Sequence, residues 1–302
     1  MDKEKRQTRV LFIVVHYRSN GAISEMLQSL DWLHASKDID IIIVDNASGS
    51  EELMKIRTAV TAFSKAQLLE SPKNRGYFGG ARFAFDRYLE EGNALPDWVI
   101  VCNHDILIED EDFFSKLFGT DPKTASVIAP SIQSRPGNLD QNPFMRRRPS
   151  QLRWAQLRFM SSNYGVAAVW DWLWRRKSEL KAWMAGQRSD SPTDGEAKQE
   201  SIYAAHGSFF IFSRRYFEAG GFLDGNLFLY GEEISVAEIC RSLGLPVIYE
   251  PSLRVVHREH QSTGRVLSRF TYECQKKAMQ YVALRYLSRS ERPAGSCQPN
   301  LQ

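Results

Sequence analysis

The stretch 97–105, Asp-Trp-Val-Ile-Val-Cys-Asn-His-Asp, constrains this chain more than any other. Trp98 to Cys102 is a short apolar run dense in β-branched side chains, as expected of a strand covered on both faces. It ends abruptly in Asn103-His104-Asp105. A covered parallel strand needs helices above and below it, so the run demands an α/β layer architecture. Open α/β sheets bind ligands in the crevice beyond the carboxyl ends of their strands, and this strand ends in a carboxylate. An Asx turn closing the strand is the structural alternative.

The rest of the chain repeats the pattern. Residues 10–16 (VLFIVVH) and 40–44 (DIIIV) read as buried strands, each followed by a helix, over 20–33 and from 51 to about 65. Residues 66–70 form a weaker third strand. The loop 74–80, NRGYFGG, opens a helix over 81–91, and the Trp98 strand follows. Strands alternating with helices predict a Rossmann-like, mostly parallel, doubly wound sheet flanked by helices. Further on, 127–130, 246–249 and 253–257 read as strands. Helices are expected over 112–118, 235–243 and 270–287.

Between 134 and 200 the pattern degrades. Arg146-Arg147-Arg148 leads into a stretch carrying Trp154, Trp170, Trp172, Trp174, Arg175, Arg176, Lys177 and Trp183. Tryptophan beside cationic side chains suits a bilayer interface, whereas the alternative is a helical excursion packed over the sheet. Residues 188–200 are polar and are expected to form a mobile loop. The resulting division is a main domain over 1–265, with an insertion at 144–200, and a C-terminal helix and polar tail over 266–302.

Composition narrows the function class. The 302 residues are 43% hydrophobic and 25% charged, with a net charge of only +3, which gives no bulk-charge case for nucleic acid. The charged start, 1–9, is not a secretory signal, and no apolar run approaches the roughly 20 residues that span a bilayer. Cys102, Cys240, Cys274 and Cys297 lack metal-type spacing and read as reduced thiols of a cytoplasmic protein.

Individual motifs leave their roles open. Asp45 closes the second buried strand, where it either accepts hydrogen bonds from a ribose or base or caps the next helix. The loop 74–80 presents glycines and a helix start to an anionic ligand, yet it is neither a Walker loop nor a dinucleotide fingerprint. Glu232 and Glu233 open a helix, as dipole partners or as functional carboxylates. His257 closes a strand, and imidazole suits several divalent metals.

In order, VVHYRS, VDNASGS, NRGYFGG, NHD, GGF…FLYGEE and VVH…STG resemble the family-two inverting glycosyltransferases with the GT-A fold. The likeness is to the bacterial rhamnosyl- and galactofuranosyltransferase branch, and it covers residue 10 to about 264. It implies Asp45 at the nucleotide, Asp105 and His257 on Mg²⁺ or Mn²⁺, and Glu233 as general base with Glu232 as the fallback. It further implies nucleotide-sugar contacts from Tyr17, Asn74, Gly76, Gly80, Arg82, Asn103, His104 and Gly207. The donor would be a dTDP- or UDP-linked sugar and the acceptor a glycan or lipid-linked hydroxyl. The expected setting is bacterial cell-surface polysaccharide synthesis, in the cytoplasm or peripherally on the inner face of the plasma membrane. Four features depart from the family pattern: Asn103 replaces the first acid of Asp-x-Asp, Glu233 replaces the usual Asp, Arg18 replaces an Asn, and Gly80-Ala81-Arg82 stands where the family loop often runs Gly-Asn-Asn. A sugar nucleotidyltransferase should carry a Gly-rich loop at the first strand, which 14–19 lacks. A non-catalytic, carbohydrate-binding or scaffolding relative is the other alternative.

Overall fold

The computed structural model describes residues 9–18, 22–30, 38–63, 66–135, 137, 139–169, 198–258 and 268–287. The first strands are β1 (Val10–His16), β2 (Ile39–Asp45), β3 (Ala66–Glu70), β4 (Trp98–Asn103) and β5 (Ile106–Leu107). Then follow β6 (Val127–Arg135), β7 (Glu200–Ile202), β8 (Phe209–Ser213) and β9 (Val247–Arg258). The helices are α1 (Ala22–Ser29), α2 (Ser50–Ala62), α3 (Tyr77–Glu90), α4 (Phe113–Phe118) and α5 (Gln151–Met160). They continue as α6 (Arg214–Glu218), α7 (Glu232–Leu243) and α8 (Arg269–Val282), the last running into a π turn at Ala283–Leu287.

One nine-stranded sheet runs β3-β2-β1-β4-β8-β6-β9-β5, with β7 on β9. Its physical basis is the pleat. Along β1, Val10, Phe12 and Val14 enter one core while Leu11, Ile13 and Val15 enter the other. β4 divides likewise, Trp98, Ile100 and Cys102 against Val99 and Val101. Continuous apolar strands are therefore required, because each strand feeds two cores at once. Helices α1, α2 and α4 cover the first face, and α3, α6 and α7 the second.

The parallel half is the half that alternation with helices predicts. Strands β3, β2, β1 and β4 all pair in parallel. Beyond β4 the sheet is mixed. β8 lies antiparallel to both β4 and β6, β6 is parallel to β9, and β5 and β7 are antiparallel to β9. The two strands expected over 246–249 and 253–257 are one strand, β9. Its register against β6 jumps from Pro130↔Glu250 to Ser131↔Arg254. Pro251 has no N–H for the ladder, so the chain bulges there and pairs again beyond it.

The loop before α3 is built around Gly76, at φ +75°. A Cβ there would lie 2.0 Å from the Phe228 carbonyl oxygen, and Tyr77 N–H donates to that same oxygen at 3.0 Å. The loop is thus stapled to the segment that leads into α7. Gly76→Ala combines a left-handed backbone with a backbone clash. It should destabilise the fold by roughly 2–4 kcal/mol, read as a drop in denaturation midpoint. An unchanged midpoint would contradict the close approach.

At the start of the predicted insertion, Trp154 and Arg148 are packed against the fold, whereas Leu152 and Phe159 are exposed. Trp154 is 3% exposed and joins Leu227, Ile234, Ala278 and Val282 in a third cluster. Arg148 donates to Glu238 at 2.6 Å, a carboxylate that also takes Tyr203 Oη–H and Arg241 Nε–H. Burial alone would raise the Glu238 carboxyl, but these donors hold it below its usual range. Arg146 pairs with Glu200. Trp170, Trp172, Trp174, Arg175, Arg176, Lys177, Trp183 and most of the loop expected at 188–200 lie outside the described residues, as does Cys297. Cys102, Cys240 and Cys274 are free thiols. No described helix is long and apolar enough to cross a membrane.

Candidate active site

Strands β2, β1 and β4 are neighbours and end level, so their polar termini form one row at the carboxyl edge of the sheet. His16 stands opposite Asp45, and Val15 opposite Asn103. Asp45 is 3% exposed, and both its oxygens face the Ser48 N–H, at 3.3 and 3.4 Å. It does not cap α2, whose N-cap is Gly49. Tyr17 is partly exposed, with the Arg18 guanidinium 5.1 Å from its ring centre. His104 sits in the turn after β4, its ring 5.2 Å from that of His16. Burial and His104 push His16 down to about 4, so it is neutral at pH 7.

Asp105 lies in the tight turn between β4 and β5, and β5 pairs with the end of β9 so that Ile106 faces His257. This brings Asp105 Oδ1 to 3.3 Å from His257 Nε2. The other ring nitrogen, Nδ1, sits 2.7 Å from Gln141 Oε1. With that acceptor opposite it, Nδ1 is assigned a proton, and Nε2 is the nitrogen that faces the carboxylate oxygen. That oxygen is buried and has no hydrogen-bond donor of its own. Two Lewis bases so placed need a proton or a metal cation between them. Burial opposes ionisation of Asp105, but His257 and His104 outweigh it and hold the carboxyl below its ordinary value. No group of three or more His, Cys, Asp or Glu side chains suited to a metal occurs among the described residues. A divalent ion held by these two side chains alone would have to complete its shell with phosphate and water.

The second carboxylate group stands at the start of α7. Gly231 and Tyr230 both adopt positive φ there, 89° and 69°. The preceding loop is anchored by Asp224, 1% exposed, which accepts the hydroxyls of Tyr281 and Tyr286 next to the C-terminal helix. Glu233 accepts backbone N–H from Gly207 and Gly231, while burial raises its carboxyl. A Cβ at Gly207 would lie 2.6 Å from Glu233 Oε1, so only glycine lets the carboxylate settle there. Glu232 is 4% exposed, and burial and the Glu233 charge push it up to about 8. The Tyr77 hydroxyl donates to the Val101 carbonyl at 3.2 Å, and burial first, then the charges of Cys102, Glu232, Glu233 and Asp105, raise it well above the usual phenol range.

The remaining expected residues divide by position. Asn103 closes β4, and its N–H donates to the Ser208 carbonyl. Asn74 Oδ1 accepts from Gly76 N–H at 2.9 Å, and a Cβ at Gly80 would lie 3.1 Å from the Val15 side chain. Arg82 is exposed and paired with Asp86, and its stem lies beside Gly225 of the loop before α7. Sequence reasoning missed His16, although the same rule that found Asp45 and Asp105, a polar residue closing a buried strand, applies to it. It also missed Asn46, whose amide grips Gly76 O and Arg75 N, both at 2.9 Å. Nothing in the sequence marks Gln141 or His206, the latter within 6.1 Å of His257 ring to ring.

The part of the chain that carries the row of polar strand ends has a counterpart in known sequences. Residues 11–221 match the Glycosyl transferase family 2 domain. The chain belongs to that family. A curated relative, the N-acetylglucosaminyl-diphospho-decaprenol L-rhamnosyltransferase of Mycobacterium tuberculosis, is 25% identical over 262 residues, 84% of this chain and 77% of its own. A low-salt glycan biosynthesis hexosyltransferase of Haloferax volcanii is 25% identical over 223 residues, 74% of this chain and 58% of its own. Among solved structures, GalNAc-T7 with UDP, GalNAc and Mn²⁺ superposes with a TM-score of 0.58 at 13% identity, covering 93% of this chain and 48% of that one. A mannosyltransferase from Pyrobaculum calidifontis, in complex with GDP-Man and Mn²⁺, gives 0.50 at 17% identity, covering 86% and 59%. This family-two chain thus has the GT-A fold, and it spans only about half the length of those two solved chains.

Proposed function

We propose that this glycosyltransferase is an inverting, divalent-metal-dependent enzyme. It moves a sugar from a dTDP- or UDP-linked donor to the hydroxyl of a glycan or lipid-linked acceptor. The observation that carries the reading is the opposed pair Asp105 and His257, lying on the same sheet edge as Asp45 and sharing the surroundings of Tyr77 with Glu233. The Mn²⁺ and nucleotide sugars of the structural neighbours, and the lipid-linked substrate in the rhamnosyltransferase's name, support it.

Asp105 and His257 would hold Mg²⁺ or Mn²⁺. When bound, the metal supplies charge neutralisation for the departing nucleoside diphosphate. The chain's own groups do the rest. Asp45 accepts hydrogen bonds from the nucleoside. Glu233, poised on two backbone N–H groups, accepts the acceptor's hydroxyl proton as that oxygen attacks the anomeric carbon. Attack from the face opposite the diphosphate inverts the configuration. Assembly of a bacterial cell-surface polysaccharide at the inner face of the plasma membrane is the setting this chemistry suits. Salt-sensitive pelleting with anionic vesicles tests that location.

Thermal shift across UDP-, dTDP- and GDP-sugars, with and without Mn²⁺, tests the donor class. Stabilisation requiring both sugar nucleotide and metal is expected, since a ligand bound only by the native state raises the midpoint. No shift with any donor, or shifts indifferent to metal, would defeat the reading.

A further inference from the structure

Ser48 is one residue that no part of the mechanism above uses, although it touches three components of the nucleotide end. It is 6% exposed. Its Oγ accepts the Arg18 backbone N–H at 3.2 Å and lies 3.3 Å from His16 Nδ1. Its own N–H faces both oxygens of Asp45. With Arg18 N–H on one lone pair, the hydroxyl proton is free to point at His16 Nδ1. The same ring lies 3.6 Å from both Asp45 Oδ1 and Glu52 Oε1, so the Ser48 hydroxyl joins the Arg18 turn to the imidazole beside Asp45.

The same contacts hold two unfavourable backbone conformations. Arg18 and Ala47 both have positive φ, 50° and 62°, which non-glycine residues adopt only when their surroundings over-determine them. They follow the adjacent strands β1 and β2, and Ser48 is the side chain that ties one turn to the other. The Arg18 turn carries the Tyr17 ring, partly exposed, and the Ala47 turn carries Asp45.

We infer that the Ser48 hydroxyl is a positioning group for nucleoside recognition, tying the Tyr17–Arg18 turn to the His16 ring beside Asp45, while the Ser48 N–H faces the Asp45 carboxylate, so that the two turns form one surface that reads the nucleoside half of the donor. The inference rests on the nucleotide site proposed above. It separates nucleoside binding, set by Ser48, from diphosphate binding, set by Asp105 and His257 on β4 and β9.

The test compares the full chain with Ser48→Ala and Ser48→Thr, titrating UDP, dTDP and GDP in the presence of Mn²⁺. Inorganic pyrophosphate with Mn²⁺ serves as the probe that lacks a nucleoside. Ser48→Ala should weaken the preferred nucleoside diphosphate roughly tenfold, the scale of one lost buried hydrogen bond. It should also flatten the preference among bases while pyrophosphate affinity holds, and donor KM should rise more than kcat falls. Ser48→Thr, which keeps the hydroxyl, should recover the affinity. Unchanged nucleoside diphosphate binding in Ser48→Ala overturns the inference. So does an equal loss of pyrophosphate, which would mark a general loosening of the loop. A wild-type chain that binds pyrophosphate but no nucleoside diphosphate overturns the nucleotide-site reading itself.

Discussion

Asp105→Ala should abolish the metal dependence of donor binding and lower turnover by roughly 10²- to 10³-fold, because a metal's charge stabilisation of the leaving group is a several-kcal/mol effect. The reason is local. Asp105 Oδ1 is a buried oxygen with no hydrogen-bond donor, set against the nitrogen of His257. Removing it leaves His257 as one imidazole ligand, too little to hold a hard cation by itself. Asp105→Asn keeps the shape and loses the charge, so it should behave like the alanine variant. Gln141→Leu should weaken metal binding less, by about 10- to 100-fold, since it only orients the ring. Donor titrations with and without Mn²⁺ measure all three. An Asp105→Asn chain whose donor affinity still rises with Mn²⁺ as in the wild type would remove Asp105 from the metal.

Glu233→Gln should lower kcat by about 10²-fold or more while donor affinity stays near the wild-type value, the signature of a group needed only as the proton moves. Glu232 should not behave this way. Its carboxyl is pushed up to about 8 by burial and by the Glu233 charge, which favours its protonated form at pH 7. It marks stability instead. A carboxyl raised from an ordinary 4.5 binds its proton more tightly in the folded state. Its contribution is therefore present below about pH 4.5 and is lost as pH climbs through about 8. Glu232→Gln should flatten the fall in melting temperature between roughly pH 5 and pH 9 and leave turnover largely intact. A dead Glu232→Gln beside an active Glu233→Gln would shift the base one residue back.

The sequence by itself determined the layered α/β architecture and the parallel half of the sheet. An uninterrupted apolar run such as Val10–Val15 or Trp98–Cys102 is stable only with a core on each face, and helix-length connections then force parallel pairing. It also determined which residues close those strands, because chain ends of buried strands are where polar groups can face solvent. Asp45 and Asp105 were legible for that reason. Tertiary structure alone decided what those residues meet. β9 carries His257 to Asp105 only because Pro251 bulges out and lets one strand continue past it. β8 turns antiparallel after β4 and delivers Gly207 beneath Glu233, and no periodicity encodes that direction. Gln141, His206 and the Ser48 contacts come from segments far apart in the chain or from single turns, so local pattern holds no trace of them. The same holds for Arg148 and Trp154. Their composition left a lipid surface and a packed excursion equally open, and only the fold shows that Glu238 and the α7–α8 cleft give these two side chains buried partners.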